Sequence, residues 1–91
     1  MTRSRPEKLL ERMRRSTAGW KYADLVKLYE GFGFEIRHGG HHDVVKHSCY
    51  PQLRTTLPRH TSVAKAYIAK AVELVDKLRE LEQQEEASAN E

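Results

Sequence analysis

Apolar positions recur with a helical period in three stretches of this chain and with a strand period in the block between the second and third. Leu9, Leu10 and Met13 form a short apolar stripe, with Lys8, Arg12, Arg14 and Arg15 around it. Ser4-x-x-Glu7 has capping-box spacing, and Pro6 falls in the first turn, where its missing N–H is no loss. The pattern predicts a short basic helix over 5–15, ended by a Ser16-Thr17-Ala18-Gly19 linker. Leu25, Leu28, Tyr29 and Phe32 follow at i, i+3, i+4 and i+7, which predicts a second helix. Asp24 suits the positive end of its dipole. Trp20 is placed to pack on Leu25 as a hydrophobic staple, and packing is a better use of Trp20 and Tyr22 than stacking on a base. Gly31 and Gly33 end the helix, one of them in the left-handed conformation.

Beyond Gly33 the period falls to two. Phe34 and Ile36 alternate with Glu35 and Arg37, as in a half-buried strand. His38-Gly39-Gly40-His41 reads as a turn, with Gly-Gly supplying the positive φ of a tight hairpin. A second strand runs from His42 to His47, and Ser48-Cys49-Tyr50-Pro51 is a second turn. A third strand, Gln52 to Leu57, sets Leu53, Thr55 and Leu57 on one face and Gln52, Arg54 and Thr56 on the other. Pro58 ends it. Thr61 or Ser62 caps a last helix, whose stripe holds Ala64, Tyr67, Ile68, Ala71, Val72, Val75, Leu78 and Leu81, with Leu74 at its edge. The helix is expected to fade at Gln83-Gln84-Glu85-Glu86, leaving a frayed end.

The implied class is α+β: helix, helix, three antiparallel strands, long helix. One sheet face is covered by helices and the other stays open. With 91 residues the chain is one domain, burying only about 60% of its unfolded surface, which excludes large barrel and two-half dinucleotide folds. Its single cysteine, Cys49, excludes an internally disulfide-stapled scaffold and points to a reducing cytosol. No apolar run suggests a signal peptide or membrane span. The net charge of +3 is unevenly spread. Residues 1–22 carry +5 and residues 34–60 carry +2 together with all five histidines, whereas residues 61–91 carry −3. A basic front and a histidine-rich middle suit a polyanion; the acidic end does not.

His38, His41, His42, His47 and His60 lie in the strand block and just after it. Three readings compete for them: surface polarity, metal binding, and proton transfer on RNA. The metal reading lacks support, because His41 and His42 are adjacent and point to opposite sides of a strand. No His-Glu-x-x-His, cysteine pair or spaced carboxylate accompanies them. In RNA the 2′-hydroxyl beside each phosphodiester is a built-in nucleophile, so one histidine near its ordinary titration range and a few cations suffice for cleavage. Lys46, Arg54, Arg37 and Arg59 are near enough in sequence to supply the cations. No nucleophile elbow surrounds Ser16, Ser48 or Ser62, and Cys49 has no fixed base. No glycine-rich phosphate loop precedes a helix, so no nucleotide cofactor is expected.

The stretch Asp24-Leu-Val-Lys-Leu-Tyr-Glu-Gly-Phe-Gly-Phe-Glu-Ile-Arg37, then Gly39-Gly40-His41-His42, then His47-Ser48, then Leu57-Pro58-Arg59-His60, resembles the HicA family of toxin mRNA interferases over about residues 20–72. The resemblance implies a double-stranded-RNA-binding-like fold, helix–three strands–helix, here with an extra N-terminal helix. It divides the chain into a basic helix and linker (1–19), a HicA-like domain (20–82) and an acidic tail (83–91). It implies metal-independent cleavage of mRNA by one histidine in a Gly-Ser-His type motif opening the second strand, and inhibition by a HicB-like antitoxin. Here Gly39-Gly40-His41-His42 replaces that motif. Counting forward from the glycines makes His41 the catalytic position; counting back from His47-Ser48, where the family often has His-Pro, makes it His42, the choice favoured here. His38 and His47 are expected to matter less. Lys46, Arg54, Arg37, Arg59 and His60 are the candidate RNA-binding residues. The last helix carries only Lys65 and Lys70 near its start, which is thin for clamping a duplex and favours single-stranded mRNA. It follows Val63-Ala64-Lys65-Ala66 where the family often has Gly-Thr-Leu-Arg, and the basic helix before residue 20 has no counterpart in the shortest members. The expected protein is cytoplasmic, needs no metal or other cofactor, and does not bind a membrane. A non-catalytic RNA-binding or protein-interaction module on the same scaffold is the alternative.

Overall fold

The Ser4 hydroxyl accepts from the Glu7 amide at 3.3 Å and starts the first helix, α1 (Arg5–Arg15), as its capping spacing predicts. The computed structural model describes residues 4–58 and 62–89. The second helix, α2 (Tyr22–Gly31), begins where the Lys21 amide donates to the Asp24 carboxylate at 2.9 Å. Gly33 closes it at φ +88°, a conformation strained for any residue with a Cβ. Trp20 lies half-buried against the core; its indole N–H donates to the Ser16 carbonyl at 2.8 Å, and the Arg12 guanidinium sits 5.2 Å from the ring centroid.

Three strands follow, β1 (Phe34–His38), β2 (His42–His47) and β3 (Arg54–Pro58). They form an antiparallel sheet in the order β1-β2-β3. The β1–β2 turn differs from expectation, because neither Gly39 nor Gly40 has a positive φ. The Gly39 amide instead donates to the His42 carbonyl at 3.1 Å. A Cβ at 39 would stand 2.5 Å from that oxygen, so close backbone approach is what requires glycine there. The third strand starts at Arg54 rather than Gln52. The Leu53 amide donates to Tyr50 O at 2.9 Å and the His47 amide to Leu53 O at 3.0 Å, which makes 50–53 part of the turn.

The last helix, α3 (Lys65–Ala89), begins later than expected. Ser62 is engaged in a β-bridge with Lys21, and the Val63 amide donates to Trp20 O at 3.2 Å. Thr61, the other expected cap, lies outside the described residues. The helix also continues through Gln83–Glu86 to Ala89 rather than fading. Lys70 pairs with Glu73 at 2.9 Å on its exposed side. A hydrogen bond to Glu85 ties the Tyr50 hydroxyl to the helix and, with the carboxylates around it, pushes the phenol up to about 12. Among the described residues no helix is long and apolar enough to cross a membrane.

One core joins every element. Leu25, Leu28 and Tyr29 of α2 meet Phe34, Val45 and Leu57 of the sheet and Ile68, Ala71, Val75 and Leu78 of α3 in a single buried cluster. Leu10 and Met13 of α1 belong to that cluster and are 3% and 0% exposed. Gly31 admits Pro6 so closely that a Cβ would stand 2.4 Å from the proline ring. Arg14 forms a two-pronged pair with Asp76 of α3 at 2.7 and 2.9 Å, which holds the Asp76 carboxyl below its ordinary range. The basic helix is thus part of the core and not a separable arm, because its small stripe faces α2 and α3 together.

Met13→Ala should therefore destabilise the protein by ~2–5 kcal/mol, the usual loss for truncating a fully buried chain of that size. Arg14→Ala should change stability by less than ~1 kcal/mol, since its ion pair is half-exposed. Denaturant midpoints of the two variants check both figures, and deletion of residues 1–16 should abolish the cooperative transition.

Candidate nucleic-acid interface

Alternation along β2 divides the sheet. Asp43, Val45 and His47 are buried under the helices, and His42, Val44 and Lys46 face the open side. The register builds the open face in rows. Lys46 pairs with Glu35 on one side and Arg54 on the other; Val44 pairs with Arg37 and Thr56; His42 pairs with Pro58. Arg37, Lys46 and Arg54 border a shallow depression of ≈ 330 Å³, lined also by Glu35, His38, Gly39 and Val44. None of the three cations is in an ion pair with another described residue. Two like charges stand directly opposite each other at Lys46 and Arg54, which costs ~0.2–1 kcal/mol in a sheet. Phosphate between them would relieve it.

The structure thus gathers three of the expected RNA-binding residues: Lys46, Arg54 and Arg37. Arg59 and His60 lie outside the described residues. His42 is exposed on the open face, but it is four residues from Lys46 along an extended strand, about 13 Å, and does not line the depression. His41 is exposed in the turn. Neither ring of that pair has a hydrogen-bond or ion-pair partner among the described residues.

His38 is the histidine at the rim of the depression. It lies opposite Asp43 in the register. Its Nδ1 stands 3.1 Å from Asp43 Oδ2, with the His38 side chain 69% exposed and that of Asp43 wholly buried. The Tyr22 hydroxyl, from the first turn of α2, donates to the same carboxylate oxygen. Sequence reasoning missed Asp43, and it read Tyr22 as a packing residue without its contact to that carboxylate. The available signal was parity: a strand that buries Val45 must also bury Asp43 and His47.

His47 is buried on the helix side of the sheet. Its Nδ1 accepts from the Cys49 and Tyr50 amides at 3.0 and 3.3 Å, so the ring proton sits on Nε2, which donates to the Phe32 carbonyl at 3.0 Å. The ring stacks edge-on against Phe34, 4.9 Å between centroids, and lies 5.3 Å from Tyr50. It organises the fold and has no free nitrogen for substrate. Cys49 is exposed. No group of three or more His, Cys, Asp or Glu side chains among the described residues is arranged to hold a metal ion.

Comparison with family models, curated proteins and solved structures finds no match for this chain.

His47→Ala removes the partner of three backbone groups at once, each worth ~1–3 kcal/mol when left buried and unpaired. It should lower the unfolding free energy by several kcal/mol, whereas His41→Ala and His42→Ala should leave it within ~0.5 kcal/mol. Equilibrium unfolding of the three variants is the check.

Proposed function

We propose that this chain is a metal-independent endoribonuclease of the HicA mRNA-interferase type, acting on single-stranded RNA across the open face of its sheet. The observation that carries the reading is the cation-lined depression with a histidine at its rim. The element order α2-β1-β2-β3-α3 agrees with a double-stranded-RNA-binding-like fold, with α1 added in front. Lys46 and Arg54 grip a phosphate from one end of the depression, and Arg37 in the middle row reaches it from the other strand. A histidine at the turn end takes the proton from the adjacent 2′-hydroxyl. The 2′-oxygen bonds to phosphorus, the bond to the 5′-oxygen breaks, that oxygen takes up a proton from solvent water, and the histidine returns its own proton to solvent. The products carry a 2′,3′-cyclic phosphate and a 5′-hydroxyl. Charge building on the phosphate oxygens is met by the same cations.

Such an activity on cytoplasmic mRNA requires restraint by a partner, and a HicB-like antitoxin would present acidic groups to Arg37, Lys46 and Arg54. Contacts of that kind at an exposed rim weaken with salt, being screened over about 8–10 Å.

Purified full-length protein incubated with an end-labelled single-stranded mRNA fragment should cleave it in EDTA. Activity that vanishes under chelation and returns with a divalent ion would overturn the metal-independent mechanism, and binding without cleavage would leave a non-catalytic RNA-binding module. Lys46→Ala and Arg54→Ala should each weaken RNA binding and lower the salt-dependence slope by ~0.7, the contribution of one phosphate contact on a single strand. Arg54→Thr should bind RNA less tightly while raising stability by a few tenths of a kcal/mol, since it removes the like-charge pair.

A further inference from the structure

We infer that β1 is a self-pairing edge: two copies of this chain join their β1 strands antiparallel about a two-fold axis at Ile36, making one six-stranded sheet. β1 is an outer strand of its sheet. Its ladder with β2 shows which backbone groups are left over. At one end the Ser48 amide donates to Gly33 O at 3.3 Å, and at the other the Gly39 amide donates to His42 O at 3.1 Å. Hydrogen-bonded pairs alternate along an antiparallel ladder, so residues 33, 35, 37 and 39 face β2. The N–H and C=O groups of Phe34, Ile36 and His38 therefore point outward. Among the described residues no hydrogen bond from another element reaches these backbone groups. The opposite edge is guarded. There the His47 amide donates to Leu53 O, so the outward positions of β3 are Arg54, Thr56 and Pro58. Pro58 has no N–H to give, and β1 carries no such block.

Charge selects the partner and the register. An edge with charged side chains ordinarily resists pairing. β1 reads Phe34-Glu35-Ile36-Arg37-His38, with opposite charges on either side of Ile36. When Ile36 lies opposite Ile36 of a second copy, each Glu35 stands opposite an Arg37. These are non-hydrogen-bonded positions on the open face, where cross-strand side chains come closest. Sliding the strands by two residues either way keeps the hydrogen-bond parity but sets Glu35 against Glu35 or Arg37 against Arg37. The chain is therefore complementary to itself in one register. Glu35 and Arg37 are exposed and have no ion pair with another described residue, so both are available.

On the helix side Ile36, only partly buried in a single copy, packs on its counterpart. The pairing also adds Arg37 of the second copy to the row of Glu35, Lys46 and Arg54, so each depression gains a cation from across the axis. Five residues of edge make a small interface, and the dimer accordingly forms and dissociates with concentration. None of this depends on the ribonuclease reading.

Sedimentation equilibrium of the full chain from ~1 μM to ~1 mM should show a reversible monomer–dimer step. Glu35→Arg and Arg37→Glu should each stay monomeric throughout, because each sets like charges against each other at both crossings. An equimolar mixture of the two variants should dimerise again, since opposite charges then meet at both. Both substitutions lie on the exposed face, so each variant should still unfold cooperatively. In the wild type, hydrogen exchange at the amides of Phe34, Ile36 and His38 should slow as concentration rises. A wild-type chain that is monomeric at ~1 mM overturns the proposal and leaves this edge to a strand of another protein. A dimer that survives Arg37→Glu, a mixture that fails to associate, or slowed exchange confined to other residues also overturns it.

Discussion

Two polar side chains on the buried face of β2 hold the second helix to the sheet, and most of the remaining architecture depends on that attachment. Asp43 meets the Tyr22 hydroxyl at the first turn of α2, and His47 meets the Phe32 carbonyl just beyond its last turn. The lengths agree: Tyr22 to Phe32 rises about 15 Å in a helix, and Asp43 to His47 spans about 13 Å in a strand. The helix therefore runs alongside β2 in the same direction, fastened at both ends, with Val45 between the fastenings as the apolar contact. Gly33 completes the return into β1. Its positive φ turns the chain, and its lack of a Cβ leaves room for the His47 ring.

This attachment separates the two faces by task. Everything apolar is drawn under the helices, and α1 is drawn in with it, because Pro6 fits against Gly31 and Met13 closes the gap between α2 and α3. The rings of Tyr29, Phe34, His47 and Tyr50 continue the packing from the core to the β2–β3 turn. There the Tyr50–Glu85 contact gives the end of α3 something to pack on, which accounts for a helix that outlasts its apolar stripe. The open face, relieved of any packing duty, is free to carry three cations side by side.

The order of elements was legible in the sequence, because helices and strands differ in hydrophobic period and every period change here is sharp. The α1 boundaries and the residues of β2 follow from caps and alternation alone. The β3 and α3 starts do not, since they are set by tertiary hydrogen bonds: Leu53 closes a turn onto His47, and Ser62 is taken by a bridge to Lys21. The candidate site was legible in part. Alternation places Arg37, Lys46 and Arg54 on one face, and the structure brings them around one depression. The roles of the histidines were not legible, because composition treats them alike. Whether a histidine is a core fastening, as His47 is, or an exposed ring with a buried anchor, as His38 is, depends on strand parity and on which helix end arrives beside it. The glycines of the first turn misled for a related reason: Gly-Gly suggests positive φ, but here Gly39 serves a close approach of backbone to backbone.

Where the chain departs from the rules that stabilise a sheet, the departures cluster. Lys46 faces Arg54 across the open side, and Asp43 is buried on the closed side; both residues belong to β2. A sheet selected for stability alone would hold an opposite-charge pair in the first position and a valine or leucine in the second. Each departure lowers the stability of a small core that has little to spare. The like-charge pair acquires a purpose when an anion lies in the depression, since the paired cations gain a counterion, and the buried carboxylate has one already in the Tyr22 hydroxyl of α2. Residues that break local rules without a packing gain tend to mark functional sites. Here the like-charge pair of Lys46 and Arg54 is the departure without a packing gain, and both residues border the depression, whereas the buried Asp43 has its use in holding α2.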